Sequence, residues 1–112
     1  MQIGVLSEDI RLCNELAVMC SENDFAIVFI NQDNKPVNTL DYIVIDIDLN
    51  TDLAINICQE YSRLNLKIFG ATSTPTKLNI LNAKKAGCLM VLTKSNFAAN
   101  LEDIINKSIK NS

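Results

Sequence analysis

Apolar positions in this chain gather into five short runs, near residues 2–6, 25–30, 41–48, 67–71 and 88–92, and the chain turns polar after each of them. Runs of that length bounded by polar residues predict buried β-strands. The middle run, DYIVIDID, drives Tyr42, Ile43, Val44 and Ile45 directly into Asp46 and ends at Asp48. Aspartate is depleted in strands, so neither acid serves the strand itself.

Between the runs the apolar spacing changes to three and four, the period of an amphipathic helix. Residues 9–23 put Leu12, Cys13, Leu16, Ala17 and Cys20 on one face, with Asp9 as a capping or first-turn acid. A second helix starts at Thr51 or Asp52, runs to about residue 65 and buries Ala54, Ile57, Cys58, Tyr61 and Leu64. A third begins near Thr76 after Pro75, carries a thin stripe of Leu78 and Leu81, and stops at a left-handed cap on Gly87. The last is capped by Ser95 or Asn96, reaches about residue 110 and faces inward with Phe97, Leu101, Ile104, Ile105 and Ile109. The segment 31–41, NQDNKPVNTLD, is polar and turn-rich, and Pro36 disfavours a helix through it. That crossover is therefore expected to be short, its helix reduced or missing.

Strands alternating with helices predict an α/β fold, a parallel sheet with helices on both faces and right-handed connections. No linker or repeat interrupts the pattern, so residues 1–112 are expected to form a single domain. Apolar residues make up 48% of the 112 positions and charged residues 21%, ordinary values for a globular core. A net charge of -3 offers no basic footprint for nucleic acid and no polybasic patch for a membrane surface. Cys13, Cys20, Cys58 and Cys88 sit inside apolar patterns without metal-ligand spacing and read as small hydrophobes in a reducing, cytoplasmic setting. The absence of histidine excludes the commonest general base and the usual catalytic triads.

In a parallel sheet, ligands bind beyond the carboxyl ends of the strands. Glu8 and Asp9 follow the first strand, Asp46 and Asp48 the third, Thr72 the fourth and Lys94 the fifth, so all belong to one edge. Carboxylates, a hydroxyl and a lysine suit magnesium-assisted phosphoryl transfer to an aspartate: oxygens hold the ion, the hydroxyl and ammonium bind phosphoryl oxygens, and one carboxylate is the nucleophile. Ser73 and Thr74 are as hydroxylic as Thr72, which leaves the register of that hydroxyl open.

Two stretches, DYIVIDIDLN and AGCLMVLTKSNF, resemble the response-regulator receiver domains of two-component signalling, the second following the family's AGA-x-x-Y-L-T-K-P-F segment. The resemblance spans the chain apart from the short second crossover. It implies a flavodoxin-like doubly wound sheet in the order 2-1-3-4-5. By position it implies Asp46 as phospho-acceptor, Lys94 as the lysine pairing with phosphoryl and carboxylate oxygens, and Thr72 as the switch hydroxyl. The implied magnesium ligands are Glu8, Asp46 and a backbone carbonyl of Ile47 or Asp48, by position Asp48, whose side chain is alternatively expected to repel the incoming phosphoryl group and set its lifetime. Implied partners are a sensor histidine kinase or phosphotransfer protein and a downstream target. The target would dock on the face of helix 4, strand 5 and helix 5 in the family's count, the chain acting as a monomer or weak dimer. Any catalysis would be self-phosphorylation and dephosphorylation at Asp46.

The chain departs from the family pattern at several positions. Ser7 stands where the first acid of the metal-binding pair belongs, and the second is Glu8, so magnesium binding is expected to be weak. Asn50 occupies a proline position and Val91 an aromatic one. Ser95 replaces a proline that commonly follows a cis bond, which for a non-proline residue costs about 2.5–4 kcal/mol. These departures keep a second expectation open: a pseudo-receiver that binds partners on the same face without phosphorylation. A flavin or nucleotide binder is disfavoured, because three glycines supply no phosphate loop.

Overall fold

The computed structural model describes residues 1–31, 40–48, 51–64 and 66–110. Five parallel strands, β1 (Gln2–Leu6), β2 (Ala26–Phe29), β3 (Tyr42–Asp46), β4 (Lys67–Thr72) and β5 (Met90–Thr93), form one sheet in the order β2-β1-β3-β4-β5. The helices are α1 (Ile10–Glu22), α2 (Thr51–Ser62), α3 (Lys77–Ala86) and α4 (Phe97–Lys110), the last entered through a 3₁₀ turn at Lys94–Asn96. This is the expected flavodoxin-like order. The short second crossover and the Asn50 position fall at 32–39 and 49–50, outside the described residues.

Every residue of β3 is buried, as a strand covered on both faces requires. Alternation then divides its side chains: Tyr42 and Val44 join Leu12, Leu16, Phe97, Leu101 and Ile105 beneath α1 and α4, whereas Ile43 and Ile45 join Ala54, Ile57, Tyr61 and Ala83 beneath α2 and α3. Each large apolar side chain so enclosed contributes about 1.5–3 kcal/mol. Asp46 has the parity of Val44 and therefore lies on the α1/α4 side of the pleat.

Helix α1 begins where its cap was expected, with the Asp9 carboxylate accepting from the Leu12 N–H at 3.1 Å. Helix α3 ends at Gly87, whose φ of 118° is left-handed, and a Cβ there would collide with the Ser62 side chain on α2. Three expectations about buried faces are corrected. Leu64 is 50% exposed, because α2 ends at Ser62 and the helical period does not continue to it. Leu78 and Leu81 face outward on α3, which buries the small Ala83 and Ala86 instead and so lies close to α2. Ile109 is also exposed, near the end of α4. Cys20, Cys58 and Cys88 are buried as expected, Cys13 only partly. No helix among the described residues is long and apolar enough to cross a membrane.

Charge is distributed unevenly across this sheet. From residue 61 to residue 101 the chain contains Arg63, Lys67, Lys77, Lys84, Lys85 and Lys94 and no acid, so the β4–α3–β5 side is basic. Most acids belong to the β2–β1–β3 side and its helix α1.

Candidate functional site

Polar side chains from four strand ends meet at the carboxyl edge of the sheet. Asp46 closes β3 and is 2% exposed. Its Oδ2 accepts from the Ser7 hydroxyl at 2.6 Å and faces Lys94 Nζ at 2.9 Å, while its Oδ1 accepts from the Asp48 N–H at 3.0 Å. Ser7 Oγ in turn accepts from the Asp9 N–H at 3.0 Å, tying the start of α1 to the end of β3.

Lys94 reaches this point from the turn between β5 and α4. Its ammonium also lies 3.3 Å from Asp9 Oδ2 and 3.3 Å from Asp48 Oδ2. One cation thus sits among three carboxylates. Burial acts to lower the Lys94 pKa, but the ion pairs with Asp46, Asp9 and Asp48 outweigh it and raise the group above the ordinary lysine value. Asp9 is held below the usual carboxylate range chiefly by the Leu12 N–H, with Lys94 adding to it, against the opposing effect of desolvation.

Thr72 closes β4 and is fully buried, yet by alternation it falls on the opposite side of the pleat from Ala71 and the α1/α4 core. Its hydroxyl donates to Asp48 Oδ1 at 2.7 Å. The Ser73 N–H and hydroxyl both donate to Asp48 Oδ2 at 2.8 Å. Desolvation pushes the Asp48 carboxyl up, but the donors of Ser73 and Thr72 together with Lys94 prevail and set its pKa to about 2. Beside the cluster lies a cavity of about 310 Å³ lined by Asp9, Arg11, Leu12, Ser73, Thr93, Lys94 and Ser95.

Of the residues singled out in the sequence, Asp46, Asp48, Thr72 and Lys94 converge here. Glu8 is exposed and makes no ion pair with another described residue. Asp9, expected first as a cap and placed on the same edge, reaches Lys94 as well, and the Asp48 side chain accepts from Thr72 and Ser73 rather than standing as a free repelling charge. Ser7, at the position of the first acid of the pair, and Ser73, one of the hydroxyls that left the register open, both enter the cluster, each lying directly after a strand that ends there. Among the described residues no three acidic, thiol or imidazole side chains are spaced to hold a metal ion. The expected magnesium donors are two carboxylates and a backbone carbonyl, and of the two carboxylates Asp46 faces Lys94 at 2.9 Å while Glu8 is exposed. No cis peptide bond occurs among the described residues, so Lys94–Ser95 is trans.

No family model matches the chain, and no curated protein is similar to it. Solved structures are. The signal receiver domain of a DNA-binding response regulator from Colwellia psychrerythraea superposes with a TM-score of 0.83 at 17% identity, covering 98% of each chain. A response regulator from Thermotoga maritima gives 0.81 at 15% identity, with 97% of each chain covered. A pilus assembly-related protein from Burkholderia pseudomallei gives 0.77 at 20% identity, covering 96% of this chain and 87% of that one. With strand order, helix placement and near-complete coverage in agreement, the chain has the CheY-like fold of response-regulator receiver domains.

Proposed function

We propose that residues 1–112 act as a single receiver-type signalling unit in the cytoplasm, with Asp46 as the phosphoryl acceptor and protein–protein contact as the output. The observation that carries this reading is the enclosed Asp46–Lys94 pair, 2.9 Å apart at the end of the central strand. A carboxylate 3% exposed beside an ammonium 16% exposed carries a desolvation cost, and such a pair beside a cavity at the strand ends is a candidate for chemistry. In the proposed reaction an Asp46 carboxylate oxygen attacks the phosphorus of a phosphohistidine on a kinase or phosphotransfer protein. The P–N bond breaks, and the imidazole leaves with its electron pair. Lys94 neutralises charge on the transferred group, and the adjoining cavity gives that group room. A target protein would then read the surface of α3, β5 and α4, on which Leu78, Leu81, Leu89 and Met90 are exposed.

A second reading is favoured by a specific contact. The Ser7 hydroxyl bonds Asp46 at 2.6 Å where the family pattern has an acid, so the site has one anionic ligand fewer. In that reading the same surface binds partners with no phosphorylation step. The receiver fold also occurs in proteins described as pilus assembly proteins, from Burkholderia pseudomallei and Burkholderia thailandensis, which fits assembly through a docking face. Incubation with acetyl phosphate and magnesium, followed by intact-mass measurement, separates the two. An adduct on the wild type that is absent from Asp46→Asn supports phosphoryl acceptance; no adduct from acetyl phosphate or a histidine-kinase donor supports the second reading.

A further inference from the structure

The Asp48 side chain accepts from three donors, the Thr72 hydroxyl, the Ser73 N–H and the Ser73 hydroxyl, at 2.7–2.8 Å, and pairs with the Lys94 ammonium at 3.3 Å. Two hydroxyls, a main-chain N–H and an ammonium converging on one point are the donors that hold a tetrahedral oxyanion. Nearby, the Thr74 N–H donates to Thr72 Oγ1 at 3.1 Å, which fixes the hydroxyl's orientation and joins the whole β4–α3 turn to the same centre. Thr72 and Lys94 are the groups that the family resemblance already assigns to phosphoryl oxygens; we propose that the chain fills this oxyanion site with its own Asp48 carboxylate, with Ser73 as a further donor.

Such a site has two consequences. The β4–α3 turn is held in its anion-engaged form without any external anion, and an incoming oxyanion binds only by displacing Asp48. The donors face Asp48 rather than Asp46 because of strand parity: Asp46 lies on the α1/α4 side of the pleat and Thr72 on the other. The Asp48 backbone N–H is already bonded to Asp46 Oδ1, so the carboxylate has a fixed stem from which to reach the donors. The inference rests on these contacts and not on phosphorylation of Asp46.

The test follows the Ser73 amide by nitrogen–proton NMR in the full chain, with inorganic phosphate as ligand and sodium chloride at matched ionic strength as control. In the wild type the Ser73 amide exchanges slowly with solvent and its resonance does not respond to phosphate. In Asp48→Ala it exchanges at least tenfold faster without phosphate, and millimolar phosphate shifts the Thr72, Ser73 and Thr74 resonances saturably and restores protection. Adding Thr72→Val to Asp48→Ala weakens phosphate binding at least fivefold. If Asp48→Ala does not fold, Asp48→Asn serves, since it keeps the shape and loses the charge; its Ser73 amide exchanges faster than in the wild type. An unchanged Ser73 exchange rate in the substituted protein overturns the proposal. So does a loosened turn that ignores phosphate, or an equal phosphate response in the wild type. Phosphoryl acceptance is read from the mass adduct on Asp46 and this site from the Ser73 amide of the Asp48 variants, so the failure of one and the failure of the other give different results.

Discussion

Replacing Lys94 with methionine keeps a side chain of similar length and removes the ammonium that three carboxylates share. The cost can be worked out partner by partner. Asp9 keeps the Leu12 N–H and its side chain is 33% exposed, so water takes over much of the lysine's role there. Asp48 keeps Thr72 and both donors of Ser73. Asp46 is the group left in difficulty, 3% exposed, with one hydroxyl and one N–H for a full negative charge. Removing one partner of a fully buried ion pair costs about 3–5 kcal/mol. The two surviving hydrogen bonds on Asp46 and the partial exposure of Lys94 bring the expected loss to about 2–3 kcal/mol. For a domain of this size that lowers the melting temperature by roughly 8–15 °C. The double variant Lys94→Met with Asp46→Asn removes both charges and is expected to be less destabilised than the two single losses combined, with a coupling of about 1–2 kcal/mol. Urea melts of the four proteins at pH 7 measure it. Strict additivity, or a Lys94→Met variant as stable as the wild type, would refute the idea that the ammonium neutralises Asp46.

The depressed Asp48 pKa links stability to acid. A carboxyl at about 2 when folded and 3.8 when unfolded contributes stability that is complete above pH 3.8 and fades as pH falls towards 2. Discounted for its 26% side-chain exposure, the contribution is about 1–2 kcal/mol. Urea melts of the wild type and Asp48→Asn should therefore differ at pH 6 and converge near pH 2; a gap independent of pH counts against the assignment. Gly87→Ala forces a left-handed Cβ against Ser62 and is expected to cost at least about 2 kcal/mol, whereas Ala86→Gly, in the last turn of α3, costs about 1 kcal/mol; equal losses would contradict the strain argument. Burial pushes the Cys13 and Cys20 thiols up alike and the hydrogen bond with Cys88 raises Cys58, so access and not acidity separates the four: Cys13 is partly exposed and the other three are buried. A disulfide reagent should accordingly modify the partly exposed Cys13 in the native protein and reach Cys20, Cys58 and Cys88 only on unfolding. Rapid native labelling of all four would show the core to be open.

The fold was legible because each strand is an uninterrupted apolar run and each helix has its own period. DYIVIDID could be placed at the centre of the sheet from composition alone, since only a strand covered on both faces tolerates four consecutive apolar residues of that kind. Helix faces were legible where large side chains mark them, as at Leu12, Leu16, Phe97 and Leu101. They were misread where small ones do the packing: Ala83 and Ala86 bring α3 against α2, and Leu78 and Leu81 are left in water. At the site, topology brought Asp46 and Lys94 to the same edge and sequence order sufficed to see it. The partner of Thr72 did not follow from order, because it depends on which side of the pleat the residue falls and on the reach of Asp48. Asp9 was read from its local role as a cap, and nothing local showed that its other oxygen turns towards Lys94.

The uneven spread of charge gives this protein an electric dipole lying across the strands, from the acidic β2 margin to the basic β5 margin. A molecule built that way turns in the field of whatever it approaches, so an acidic partner meets the α3–β5 side first even though the chain as a whole is anionic. Encounter rates on that side should slow as ionic strength rises, once the Debye length shrinks below the width of the sheet. Two copies brought together at low salt would align head to tail, basic margin to acidic margin, before any apolar contact is made.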